Sequence, residues 1–200
     1  SPAGPSELLV IADAEASPDV VAREMLAQAE HDPRACVVAL VIGKDLAARI
    51  AEALGAMLPA QGRAAVIRDA LSSNGAVLWA DAMDDLVAFS NAYAPEHLLL
   101  AARDTDRVLA QLRGAGTVFV GESASVSFGD YMTGANHVLP TGGLARSYSG
   151  LSTLDFVRWT TYQRVTPAAA AALATDVDVF ARAEGLPGHA AAARAWQREG

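Results

Sequence analysis

The stretch Leu8-Leu9-Val10-Ile11-Ala12-Asp13-Ala14-Glu15-Ala16-Ser17-Pro18 decides the fold. Five apolar residues without alternation read as a strand buried on both faces. An acidic turn ends it, and Pro18 opens an amphipathic segment that runs to about Glu30. One strand is followed by one helix. The same pattern recurs in Cys36 to Ile42 then Leu46 to Leu58, in Ala76 to Ala80 then Asp84 to Ala92, and in Leu98 to Ala101 then Asp104 to Leu112. Thr117-Val118-Phe119-Val120 supplies a fifth strand.

Strand and helix alternating over about 120 residues predict a parallel sheet with right-handed crossovers and helices on both faces. The fold class is therefore α/β, a three-layer α/β/α Rossmann-like sheet, and ligands of such sheets gather at the carboxyl ends of the strands. After Val120 the chain turns Gly- and Ser-rich without periodicity for about thirty residues, longer than a plain connection requires. From Thr153 onward it becomes helical. Pro167 starts an alanine-rich helix, Gly185 ends it, and a last short helix spans about Gly188 to Arg198. The expected organisation is an α/β domain over 1–148, with a long active-site loop at 121–148, and a small C-terminal helical appendage over 149–200.

Bulk properties narrow the function. In 200 residues, 52% are hydrophobic and 19% charged, which excludes a disordered chain, and no apolar run is long enough to cross a bilayer. A net charge of −8 with fifteen scattered Lys and Arg disfavours a nucleic-acid surface, so small-molecule or protein partners are expected. The single Cys36 lies in an apolar run and reads as a small buried hydrophobe, and a reducing, cytoplasmic setting is the default. No charged and apolar leader is recognisable, and the opening Ser1-Pro2-Ala3-Gly4 without Met suggests a processed piece.

Each of the four histidines sits in a polar cluster: Gln28-Ala29-Glu30-His31, Pro95-Glu96-His97, Gly129-Asp130-Tyr131 through Asn136-His137 to Thr141-Gly142-Gly143, and Glu184-Gly185-Leu186-Pro187-Gly188-His189. Alone, each reads as a turn or a solvated helix end. Gln28 and His31, three apart near a helix terminus, project from one face and suit a common ion. With Asp130 and His189 they form a mixed nitrogen and oxygen donor set suited to zinc, or to manganese or cobalt, catalytic in style. Glu96-His97 sets an acid beside a base at a helix-to-strand loop. Adjacent residues on an extended segment point to opposite sides, so each suits a different step. Ser6 puts a hydroxyl just before the first strand, where the simplest reading is a turn.

Together these clusters resemble the histidinol dehydrogenase family, through Ala3-Gly4-Pro5-Ser6-Glu7, Met25 to Pro33, Asn91-Ala92-Tyr93-Ala94-Pro95-Glu96-His97-Leu98 and Gly129 to Gly143, in the family's order. The likeness continues through Ser149-Gly150-Leu151-Ser152 to Glu184 and His189. It covers essentially all of this chain and the second half of the family's usual one. The resemblance implies one zinc per subunit held by Gln28, His31, Asp130 and His189, with nitrogens of L-histidinol completing its coordination. By the same carry-over His97 is the base for the alcohol proton as hydride leaves for NAD, and Glu96 activates water for attack on the aldehyde, the second oxidation giving L-histidine. Ser6, His137 and Glu184 would line the substrate pocket.

The resemblance further implies a homodimer whose helical tail reaches into the neighbouring subunit. The family's Gly-rich half is absent from the sequence, so the chain is expected either to be inactive alone or to work beside a separate NAD-binding polypeptide. Two other readings compete: a related zinc-dependent dehydrogenase for another polar alcohol, and a non-catalytic zinc- and ligand-binding dimerisation module.

Overall fold

The computed structural model describes residues 3–197, in two compact units, Ser1–Phe156 and Val157–Gly200. The first unit runs past residue 148 because the chain after it folds back on the long loop. The Leu151 N–H donates to the Val138 carbonyl at 2.9 Å, and a Cβ on Gly150 would lie 2.6 Å from Leu139 Cδ2.

Five parallel strands form the centre of this unit: β1 (Glu7–Ala12), β2 (Cys36–Ile42), β3 (Gly75–Ala80), β4 (His97–Ala101) and β5 (Thr117–Val120). Their order is β3-β2-β1-β4-β5. Register sets Leu8 between Val37 of β2 and His97 of β4. β1 therefore lies mid-sheet, and its residues Leu8 to Ala12 are fully buried. Alternate strand residues feed two cores. Leu8, Val10, Ala12, Val37, Ala39 and Leu99 pack against α1 (Pro18–Ala29), α2 (Lys44–Met57) and α3 (Ala64–Asn74). Leu9, Ile11, Val38, Leu40, Leu98 and Leu100 pack against α4 (Met83–Tyr93) and α5 (Thr105–Leu109). This is the expected three-layer α/β sheet, helices on both faces.

The local departures have physical causes. α3 went unrecognised because it buries only Ile67 and Ala70, too few for a visible periodicity. α5 stops at Leu109 rather than Leu112, where the Leu112 N–H turns back to the Leu109 carbonyl at 3.1 Å. The loop after β5 is not structureless: α6 (Val126–Tyr131) lies within it. Buried Glu24 of α1 accepts the Val126 N–H at 3.1 Å, satisfying a donor at the start of α6.

In the second unit α7 (Pro167–Ala183) and α8 (Pro187–Arg194) pack together. Thr166 caps α7 through the Ala169 N–H at 3.2 Å. Gly185, at φ 73°, closes it with the Leu186 N–H donating to the Ala181 carbonyl at 2.8 Å, the double turn that glycine allows after a helix. Asp178 binds both Arg182 and Arg194, tying the two helices. The last helix ends at Arg194; Arg198, where the sequence suggested its end, lies outside the described residues. No described helix is long and apolar enough to cross a membrane.

Candidate functional site

Connectivity determines which end of the sheet collects polar groups. A crossover helix leaves the carboxyl end of one strand and delivers the chain to the amino end of the next, so the last turn of α1 lies beside the amino ends. Ser6 and Glu7 lead into β1 there, and Glu96 and His97 lead into β4. The cavity these residues border, of about 260 Å³, is lined by Ser6, Gln28, His31, Glu96, His97, Asp130, Tyr131 and His137. The structure thus brings together seven of the residues singled out in the sequence, and it does so at the amino ends rather than the carboxyl ends expected for a parallel sheet.

α6 starts under Glu24 and carries Asp130 toward the amino ends, where Asp130 Oδ1 lies 3.8 Å from His97 Nε2. A Cβ at Gly129 would stand 2.5 Å from the Phe119 ring, so a larger residue there would have to displace that ring. Gln28 is 2% exposed at the end of α1. His31 sits just past the helix and is exposed, its N–H on the Gln28 carbonyl at 3.4 Å.

Glu96 and His97 do not point to opposite sides as an extended pair would. Glu96 lies in the turn before β4 rather than within it, and the preceding Ala94 is left-handed, at φ 56°. That turn aims both side chains into one cavity, with Glu96 Oε2 3.4 Å from His97 Nδ1. An αL alanine is mildly strained, and Ala94 is fully buried beneath the pair.

The imidazole of His97 is 4% exposed. Its Nδ1 lies 3.0 Å from the Glu7 carbonyl, which can only accept, so Nδ1 carries the proton and neutral Nε2 is the basic atom. Nε2 is the buried side-chain nitrogen or oxygen that lacks a hydrogen-bond partner among the described residues. Burial pushes its pKa down, but the Glu96 hydrogen bond and charge, the Glu7 carbonyl and the Asp130 charge outweigh this and raise it above the ordinary value.

Sequence reasoning missed three contributors. Tyr131 lines the cavity, beside the Asp130 that was recognised. Glu24, 7% exposed, holds α6; an acid four residues before Gln28 on an otherwise buried helix face was the available signal. Glu7 bonds backbone in the turn before β4 and on the loop, and nothing local announces it.

Glu184 and His189 belong to the second unit. Both are exposed and border a hollow of about 500 Å³ with Asp176, Val177, Phe180, Ala181 and Leu186.

Gln28, His31 and Asp130 border one cavity and offer an amide oxygen, an imidazole nitrogen and a carboxylate, a donor set that fits zinc. Among the described residues no three His, Cys, Asp or Glu side chains gather to hold a metal, so the set depends on the Gln28 amide. A dinucleotide fits the other end poorly. The crevice there, about 420 Å³ at the carboxyl ends of β1 and β4, is lined by Asp13, Glu15 and Glu122 with Arg103. Glu122 already accepts the Ser17 N–H at the start of α1, where a phosphate would bind.

Comparison with known proteins agrees across the chain. The family model for histidinol dehydrogenase matches residues 1–196. A histidinol dehydrogenase of Methanothermobacter thermautotrophicus is 46% identical over 189 residues, 94% of this chain and 44% of that protein. One from Halobacterium salinarum is 49% identical over 190 residues, 94% of this chain and 45% of that protein. The crystal structure of histidinol dehydrogenase from Elizabethkingia anophelis superposes with a TM-score of 0.91 at 37% identity, covering 98% of this chain and 45% of that one. The chain therefore spans about half the length of the relatives it matches.

Proposed function

Because the chain belongs to the histidinol dehydrogenase family, we propose that its amino-end cavity holds L-histidinol beside a zinc ion, and that Glu96 and His97 carry the proton transfers of its oxidation to L-histidine. The observation that carries this reading is His97 Nε2, a buried base without a hydrogen-bond partner among the described residues, facing a cavity shared with Ser6, Gln28, His31, Asp130 and His137.

On this reading Gln28, His31 and Asp130 hold the zinc, which when bound supplies a cation that anchors and orients the substrate's nitrogens. His97 Nε2 accepts the proton of the substrate hydroxyl. The Glu7 carbonyl and the Glu96 carboxylate beside Nδ1 stabilise the imidazolium that results. Glu96, whose free capacity faces the cavity, takes a proton from the water that adds to the aldehyde. Ser6 and His137 are polar contacts at the cavity wall.

The acidic crevice at the carboxyl ends does not suit the phosphates of NAD. NAD is assigned to the remaining part of the family fold, in the same or a separate polypeptide. The assignments of His189 as fourth zinc ligand and Glu184 as substrate contact, in a cytoplasmic homodimer that exchanges tails, rest on the family. Exposed Leu173, Val177, Val179 and Phe180 on α7 support a subunit interface there.

Metal analysis and histidinol titration test the proposal on the chain and on His31→Ala. One zinc per chain with histidinol binding, and loss of both in the variant, is expected. Unchanged binding in the variant removes His31 from the site, and a wild-type chain that binds neither zinc nor histidinol overturns the proposal. Titration with other polar alcohols separates histidinol from a related substrate.

A further inference from the structure

The structure assigns to Glu7 a positioning role: its carboxylate joins the Glu96-His97 turn to the return of the 129–143 loop, and so holds the loop side of the cavity against the base. Every polar group of Glu7 is engaged. Its N–H donates to Glu96 Oε2 at 2.8 Å, its carbonyl meets His97 Nδ1 at 3.0 Å, and its own carboxylate accepts the Glu96 N–H at 3.3 Å through Oε2 and the Gly142 N–H at 2.9 Å through Oε1.

Glu7 and Glu96 therefore clasp each other reciprocally, each carboxylate on the other's backbone, across neighbouring strands. The second oxygen of Glu7 reaches 135 residues along the chain to Gly142. Gly142 is left-handed at φ 65°. Close approach extends along the same seam, since a Cβ on Gly4 would meet Thr141 Oγ1 at 2.8 Å. The loop that returns there is the one that carries Asp130 and His137 past the cavity.

Two N–H donors need two acceptor oxygens. A carboxylate supplies both, whereas the isosteric amide of Gln turns one acceptor into a donor and must set it against one of the two N–H groups. Glu7→Gln thus breaks one arm of the bridge while keeping side-chain volume. Glu7 does not line the cavity, and the ligand-binding consequence of its bridge rests on the proposed histidinol site.

Two measurements on the full chain test it. Amide hydrogen exchange of Glu7→Gln should speed up about tenfold at Gly142 or at Glu96, whichever loses its acceptor oxygen, as expected for loss of one hydrogen bond, with the amides of β1, β2 and β4 unchanged. L-histidinol titration with zinc present should weaken by about tenfold at an unchanged thermal midpoint. Faster exchange spread over the whole sheet with a lowered midpoint would mean a merely structural residue and overturns the assignment, as does unchanged exchange at both Gly142 and Glu96. If the wild-type chain itself fails to bind histidinol, the proposed site fails, while the Glu7 bridge still stands or falls on the exchange pattern.

Discussion

The two ends of the sheet each carry a hollow lined by charged and polar side chains, and they differ in what their polar atoms are doing. At the carboxyl ends the larger crevice has its groups committed. Asp13 accepts the Glu15 N–H at 3.0 Å and the Arg103 N–H at 2.6 Å, the Arg103 guanidinium pairs with Glu15, and Glu122 takes the Ser17 N–H. At the amino ends the smaller cavity keeps a buried imidazole nitrogen that has no hydrogen-bond partner among the described residues. Volume and strand topology favour the first end for a ligand; unspent chemistry favours the second. A polar group buried without a partner costs stability, so a fold that retains one has a reason outside folding.

The largest effect that breaks this comparison is at His97. In the chain assembled with the remaining part of the family fold, His97→Ala should lower histidinol turnover by about 10²–10⁴-fold, the usual loss for a positioned general base. The variant loses the Nδ1 bond to the Glu7 carbonyl, at a cost of about 1–3 kcal/mol, and should stay folded because the strand cores beside it are unchanged. Steady-state oxidation rates with matched circular dichroism provide the check. A turnover loss below about tenfold would place the base elsewhere.

The difference between the ends also separates what the sequence could reveal from what it could not. The strands were legible because Leu8 to Ala12 and Cys36 to Ile42 are unbroken apolar runs, and their order of connection determined a parallel sheet. The clusters at Gln28, Glu96-His97 and Asp130 were legible as residue types, and the fold gathers them. The end of the sheet was not, since α1 and α4 return polar residues to the amino ends whatever the common habit of such sheets. Nor was the shared direction of Glu96 and His97, which depends on one left-handed alanine. Glu7 and Glu24 escaped notice because their partners lie 89 to 135 residues away. Local patterns carry no trace of a carboxylate's distant backbone partner.

A second substitution sharpens the contrast through the element that links the ends. Glu24→Ala leaves the Val126 N–H without its acceptor in a buried place, and should destabilise the chain by about 1–3 kcal/mol in urea unfolding. Because α6 carries Asp130, zinc affinity should fall as well. A stability loss without any change in zinc binding would uncouple α6 from the proposed metal site.

Glu122→Ala applies the same operation at the carboxyl end. It removes the acceptor for the Ser17 N–H and should cost about 1 kcal/mol, comparable with loss of a helix cap. Histidinol and zinc binding should be unaltered, since the crevice is assigned no ligand. Altered histidinol affinity in this variant would show that the two ends are not independent.

The smallest effect belongs to Arg103. Its side chain and that of Glu15 are 75% and 58% exposed, so their ion pair is screened by water and salt. The backbone N–H of Arg103, which holds Asp13, survives any substitution except proline. Arg103→Ala should therefore change unfolding free energy by less than about 0.5 kcal/mol. It leaves the crevice more acidic, which should make it a still poorer seat for a dinucleotide phosphate. If Arg103→Ala instead abolished binding of NAD to this chain, the crevice would hold the cofactor after all, and the contrast between a committed end and an open one would fail at its committed end.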